Sequence, residues 1–199
     1  MTKQMTLSNF IQAYDFDGSV VLLEGKRDVI LADRHKLMAL GELLAASTTK
    51  MLFRSGNASG SDELFSTGVA KINRNRLQVI LPYEHHRANA QLAGDVISLE
   101  QMNLTAEPEV VYQSKRNAKT QKLIDPYVQG DINRVTLKAA YIIRDTVKAI
   151  GSSRVPRATF GIFYDDLSNP KTGGTGHTMD VCIHNDIPII DQRVWFEWL

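Results

Sequence analysis

The chain has 199 residues, 43% hydrophobic and 23% charged, an ordinary globular composition with enough apolar mass for a substantial core. Its 23 Lys and Arg offset 22 Asp and Glu for a net charge of +1, so no global field draws it to nucleic acid or to a membrane surface. A single cysteine, Cys182, excludes an internal disulfide, no run approaches the roughly 18 apolar residues of a membrane span, and the N-terminus lacks a signal peptide's apolar stretch; the chain reads as cytoplasmic.

Ser19 to Leu23 is a short apolar run rich in β-branched residues and reads as a buried strand. From about Asp28 to Thr48, residues Ile30, Leu31, Leu37, Met38, Leu40, Leu43 and Leu44 recur at helical spacing, with a cap in the Asp33 region. Met51-Leu52-Phe53 is a second strand, stopping at Arg54-Ser55-Gly56; Leu64, Phe65, Val69 and Ile72 then share a helical face, and Leu77 to Pro82 is a third strand. This alternation is the signature of a parallel sheet with helical crossovers. It predicts a Rossmann-like three-layer α/β sandwich, mainly parallel, as a single domain over residues 1–199 with its core in 19–191.

Residues 84–130 are less regular. Val96 to Leu99 is either a short strand or part of a wandering connection, and Ser114 to Lys122 concentrates four basic residues without an apolar stripe, the pattern of a solvated segment. So long a connection reads as a covering loop over a ligand or an excursion packing on a partner subunit. Asn133 to Ile150 predicts a strongly apolar helix ended by Gly151. Ala158 to Tyr164 reads as a strand, Thr178 to Asn185 as a short helix, and Ile187 to Asp191 as the last strand.

Two segments place small, flexible residues between a strand and a helix: Arg54-Ser55-Gly56-Asn57-Ala58-Ser59-Gly60-Ser61-Asp62 and Lys171-Thr172-Gly173-Gly174-Thr175-Gly176-His177-Thr178. Glycine permits positive φ and lets a ligand reach the backbone. The following helix offers unpaired N–H groups and a partial positive charge, which favour an anion. Parallel sheets collect such turns at their carboxyl edge. Neither segment is a Walker loop or a clean GxGxxG fingerprint, so a nicotinamide or flavin enzyme is not expected, and no cofactor is implied.

The order RSGNASGSDELFSTGV, LQVILPY, a helix ending YIIRDTVKAIG, FGIFYDD and GGTGHTMDVCIHNDIPIID resembles the SLOG superfamily over residues 19–191. That grouping holds Rossmann-like domains related to DNA-processing protein A and to the Lonely Guy (lysine-decarboxylase-like) phosphoribohydrolases. The pattern is nearest to that of uncharacterised phage and bacterial members. The resemblance implies ligand contacts at Arg54, Ser55, Gly56, Asn57, Gly60, Asp62, Arg144, Gly173, Gly174, Thr175, Gly176 and His177. Three positions depart from the family pattern: Asn57 stands for a glycine, Ser61 for an alanine and Asp145 for an asparagine. Asn tolerates left-handed geometry, so the turn at 57 survives. A carboxylate at 145 would repel a phosphate unless it pairs with Arg144 or another cation.

Against the PGGxGTxxE motif of the Lonely Guy enzymes the glycines agree, but the glutamate becomes Asp180, one methylene shorter. Misplacement of about 1 Å costs on the order of 10²-fold in rate. The resemblance therefore implies, first, a domain binding or sensing a nucleotide-derived or phosphate-bearing small molecule. The alternative is a nucleotide phosphoribohydrolase with Asp180 and Arg144 in the working roles. A DNA-binding accessory protein, like DNA-processing protein A, comes third because the near-neutral charge disfavours nucleic acid.

Several residues carry a bland reading beside the functional one. Asp62 serves equally as helix cap or ligand contact, and Arg144, on an apolar helix, either pairs with a buried acid or points at the site. His85 and His86 follow the third strand, with Glu84, Asp165 and His177 as conceivable co-ligands, but no ligand spacing is present and no metal is expected. Val194 to Leu199 carries both tryptophans. That apolar area must pack on the chain's own core or on a second copy, and self-association of such domains points to a homodimer.

Overall fold

Period-two alternation in the strands sets the layers. Val21 and Leu23 pack into one apolar cluster and Leu22, between them, into another on the opposite face. The computed structural model describes residues 5–199. Six strands, β1 (Val20–Gly25), β2 (Leu52–Ser55), β3 (Leu77–Leu81), β4 (Asp95–Ser98), β5 (Phe160–Tyr164) and β6 (Ile189–Asp191), form an all-parallel sheet in the order β4-β3-β2-β1-β5-β6.

On one face lie α1 (Leu7–Tyr14), α2 (Arg34–Ser47), α3 (Ser61–Asn73) and the short α8 (Gln192–Trp195), which supply Phe10, Leu37, Leu40, Phe65 and Trp195 to the core. On the other lie α4 (Pro108–Ser114), α5 (Gln121–Val128), α6 (Leu137–Ile150) and α7 (Gly173–His184), contributing Val110, Ile124, Ile143 and Cys182. This is the expected three-layer, Rossmann-like α/β sandwich. No helix among the described residues is long and apolar enough to cross a membrane.

The chain builds outward from β1 to β4, then crosses over through α4, α5 and α6 to place β5 on the other side of β1. Strand order thus reverses between β1 and β5, and at such a reversal the loops leaving the two strands diverge and open a crevice at the carboxyl edge.

Two expectations need correction, and a third feature follows one of its two stated alternatives. Residues 84–130 are not an irregular excursion: Val96 belongs to β4, paired with β3 from Gln78–Asp95 to Leu81–Ser98, and α4 and α5 pack on α6 through Val110, Ile124 and Tyr127. Their signal is weak because α4 has only seven residues, α5 has eight with Pro126 inside it, and β4 is a four-residue strand with an exposed start. The helix expected from Thr178, α7, begins at Gly173, so the glycines form its first turn. Low helix propensity is overridden there by packing, since a Cβ at Gly176 would stand 2.0 Å from the Lys171 carbonyl oxygen. The C-terminal tryptophans, finally, are consumed within the chain. Trp195 is fully buried and donates Nε1–H to the Phe163 carbonyl at 2.9 Å, and Trp198 packs on Phe10 and donates to the Met5 carbonyl. Of the two alternatives for this segment, packing on the chain's own core is the one observed for both tryptophans.

Candidate functional site

The first glycine turn starts from β2. Phe53 faces the α2–α3 layer, so its neighbour Arg54 must face α6. There it is fully buried, donating from Nε to Gln78 Oε1 (2.6 Å) and from Nη1 to the carbonyl oxygens of Lys148 and Pro156 (both 2.8 Å). Gln78 passes the contact on to Asp95 at 2.6 Å. Arg54 is a cross-sheet strut, and burial lowers its pKa to about 10. Ser55 is buried beside it with no partner for its hydroxyl among the described residues.

Beyond them Asn57 takes φ +55°, as its amide chemistry permits, and its Nδ2 donates to the His86 carbonyl. Gly60, at φ +84°, caps α3 in a position where a Cβ would meet the Arg27 carbonyl at 2.1 Å. The Asp62 carboxylate accepts from the N–H groups of Gly56 (3.1 Å) and Ala58 (3.3 Å). This turn holds an anion already, its own aspartate.

The second turn is different. Gly173, Gly174 and Thr175 open α7 with N–H groups that meet no acceptor within the protein among the described residues, and the Thr172 side chain does not cap them. They border a cleft of about 480 Å³ at the β1–β5 reversal, a volume suited to a small molecule. Its other walls are Glu24 and Gly25 at the end of β1, Lys26 and Arg27 after it, Asp62 and Ala58 from the first turn, Asp166 after β5, and Tyr141, Arg144, Asp145 and Lys148 from α6.

The floor of this cleft is a buried ion cluster. Arg144, Asp145 and Lys148 lie within one turn of α6, and Glu24 meets them from the end of β1. Lys148 Nζ sits 2.8 Å from Glu24 Oε2 and 2.8 Å from Asp145 Oδ1; Arg144 Nη2 sits 3.0 Å from Asp145 Oδ1 and its Nη1 donates to the Gly56 carbonyl at 2.5 Å. None of these side chains is more than 6% exposed, so each charge needs a partner. Burial opposes ionisation of Asp145, yet Arg144 and Lys148 hold it below the usual carboxylate range. Glu24 goes the other way: burial, reinforced by Asp62 and Asp145, outweighs Lys148 and raises it to about 7. Two carboxylates thus meet two cations, with the charge of Asp62 added from nearby, and Glu24 is the acid whose ionisation this crowding disfavours. Among the described residues the Oε1 of Glu24 and the Nε of Arg144 have no hydrogen-bond partner.

Above the floor, Tyr141 shares its hydroxyl with Tyr83 at 3.3 Å, and Tyr83 meets His86 Nδ1 at 3.0 Å. His86 is depressed to about 4 by burial, then by Arg144, Arg87 and Arg27. His85 is exposed, and among the described residues no three metal-ligating side chains come together.

The sequence-derived residues therefore separate. Asp62, Arg144, Gly173, Gly174 and Thr175 line the cleft, Gly56, Asn57 and Gly60 belong to the first turn without lining the cleft, and Arg54 and Ser55 lie in the sheet beneath α6. Gly176, His177 and Asp180 face a neighbouring groove; His177 bonds Thr146 at 2.9 Å, and Asp180 pairs with Arg116 (3.3 Å) and His184 (3.2 Å). Asp180 and Arg144 consequently border different cavities. Sequence reasoning missed Glu24, Tyr141 and Lys148. The signal for Lys148 was its spacing of four from Arg144, and for Glu24 a charge at the end of an apolar strand.

Compared with family models, curated proteins and solved structures, the chain matches none.

Proposed function

We propose that this chain is a binding or sensing domain for a phosphate-bearing, nucleotide-derived small molecule seated in the β1–β5 cleft. The observation that carries the reading is the uncapped first turn of α7, whose residues Gly173, Gly174 and Thr175 line the cleft together with Lys26 and Arg27. Backbone N–H groups and a helix dipole at one place favour a phosphate. The carboxylate floor suits ribose hydroxyls, which need acceptors, and Tyr141 offers an aromatic wall. The repulsion expected from Asp145 is answered by its two cations.

The phosphoribohydrolase alternative loses its working pair, because Asp180 borders the adjoining groove at 44% side-chain exposure and is engaged with Arg116. Thermal-shift titration with nucleoside monophosphates, followed by chromatography of the ligand, tests the reading. A stabilising ligand recovered intact supports it. Recovery of free base and ribose phosphate makes the chain a hydrolase, and no shift with any nucleotide or inorganic phosphate overturns the binding assignment.

A further inference from the structure

Resting on that reading, we infer that the ligand carries two separately anchored phosphoryl groups, one in the cleft and one in the groove on the far side of the α7 turn. The groove, about 400 Å³, is lined by Arg116, Lys119, Lys171 and His177 and shares Thr172 and Gly173 with the cleft. Nothing stands within 4 Å of where a Gly173 side chain would begin, so a ligand can pass over this residue from one cavity to the other. In the groove Arg116 is matched by Asp180, whereas Lys119 and Lys171 form no ion pair among the described residues. In the cleft the buried cations are spent on Glu24 and Asp145. Two lysines without counter-charges beside an uncapped helix turn make a second place for an anion. The basic segment from Ser114 to Lys122, which α4 and α5 hold against α7, thus acquires a task. The chemistry is that of a nucleotide bisphosphate or a pyrophosphate-linked dinucleotide, and with a net charge of +1 the chain suits a small molecule better than a strand.

Calorimetric titration of the full chain separates the cases, using AMP, an adenosine bisphosphate with phosphates at opposite ends of its ribose, diadenosine diphosphate and a phosphorylated single-stranded oligonucleotide. One of the two small molecules with two phosphoryl groups is expected to bind about tenfold or more tightly than AMP. Which one does so identifies the source of the second phosphoryl group. The paired change Lys119→Gln and Lys171→Asn, both at exposed positions and the second tolerant of φ +57°, should abolish that gain while leaving AMP affinity unchanged. Equal affinity for AMP and both ligands with two phosphoryl groups overturns the inference and spares the reading, as does a gain that survives the paired change. A preference for the oligonucleotide overturns it in favour of a strand, and failure of AMP and every other ligand to bind overturns both.

Discussion

Arg144 Nη1 donates to the Gly56 carbonyl at 2.5 Å, and a Cβ at position 56 would lie 2.6 Å from that same nitrogen and 2.9 Å from Lys148 Nζ. Gly56 is not among the glycines of positive φ, so it is glycine for the approach of two cations rather than for backbone freedom. Gly56→Ala is therefore expected to cost about 1–3 kcal/mol by overpacking and to weaken ligand binding by displacing Arg144. Urea unfolding and titration of the variant check this, and an unchanged midpoint would mean that the cluster simply relaxes around a methyl group.

Lys148 is the joint of the buried cluster, at 2.8 Å from both Glu24 and Asp145. Lys148→Met keeps the stem and strips the charge from beside two carboxylates. A loss of about 3–5 kcal/mol is expected, the usual cost of breaking a buried pair from one side. Adding Glu24→Gln should recover part of that loss, because the surplus acid is then neutral. If the double variant is no more stable than Lys148→Met, the two side chains are not energetically coupled.

Much of the frame was legible because strands and long helices announce themselves by period. The runs at 20–23, 52–53, 77–81 and 160–164 are apolar in β-branched and aromatic residues, and all four became central strands. The site was legible only in its backbone. Glycines mark where a chain turns, and they led to the α7 turn. They do not say which turn is already filled, and the Asp62 contacts to Gly56 and Ala58 arise from folding six residues back on themselves. Arg54 misled for a related reason: its place at a strand end resembles that of a phosphate ligand, while its direction depends on the register with Gln78. Glu24 and Lys148 are 124 positions apart, and no single-residue pattern joins them.

The buried Trp195 offers a test of how the C-terminus is used. It lies edge-on to Phe65 at 5.7 Å and to Phe196 at 4.6 Å, with its indole N–H on the Phe163 carbonyl. Trp195→Ala should cost about 3–5 kcal/mol and leave a void under α3. If the tryptophan served a dimer contact instead, the variant would lose self-association in sedimentation and keep its unfolding midpoint.

Two titrating groups at the cleft pull stability in opposite directions. In the folded chain Glu24 keeps its proton from its ordinary 4.5 up to about 7, because burial and the nearby Asp62 and Asp145 outweigh Lys148. Its stabilisation is complete below 4.5 and is lost as pH rises through 7. His86 refuses a proton from its ordinary 6.5 down to about 4, because it is buried and faces Arg144, Arg87 and Arg27. Its stabilisation is complete above 6.5 and is lost as pH falls through 4. Between 4.5 and 6.5 the two slopes oppose each other. Relative to the parent chain, Glu24→Gln should make unfolding free energy rise with pH across that window, and His86→Asn should make it fall. Urea unfolding of the three proteins at intervals through the window gives the difference curves directly. A flat difference for Glu24→Gln would show that its carboxyl group titrates alike in the folded and unfolded chains, and the surplus charge of the cluster would then have to be met by a bound cation or by ligand.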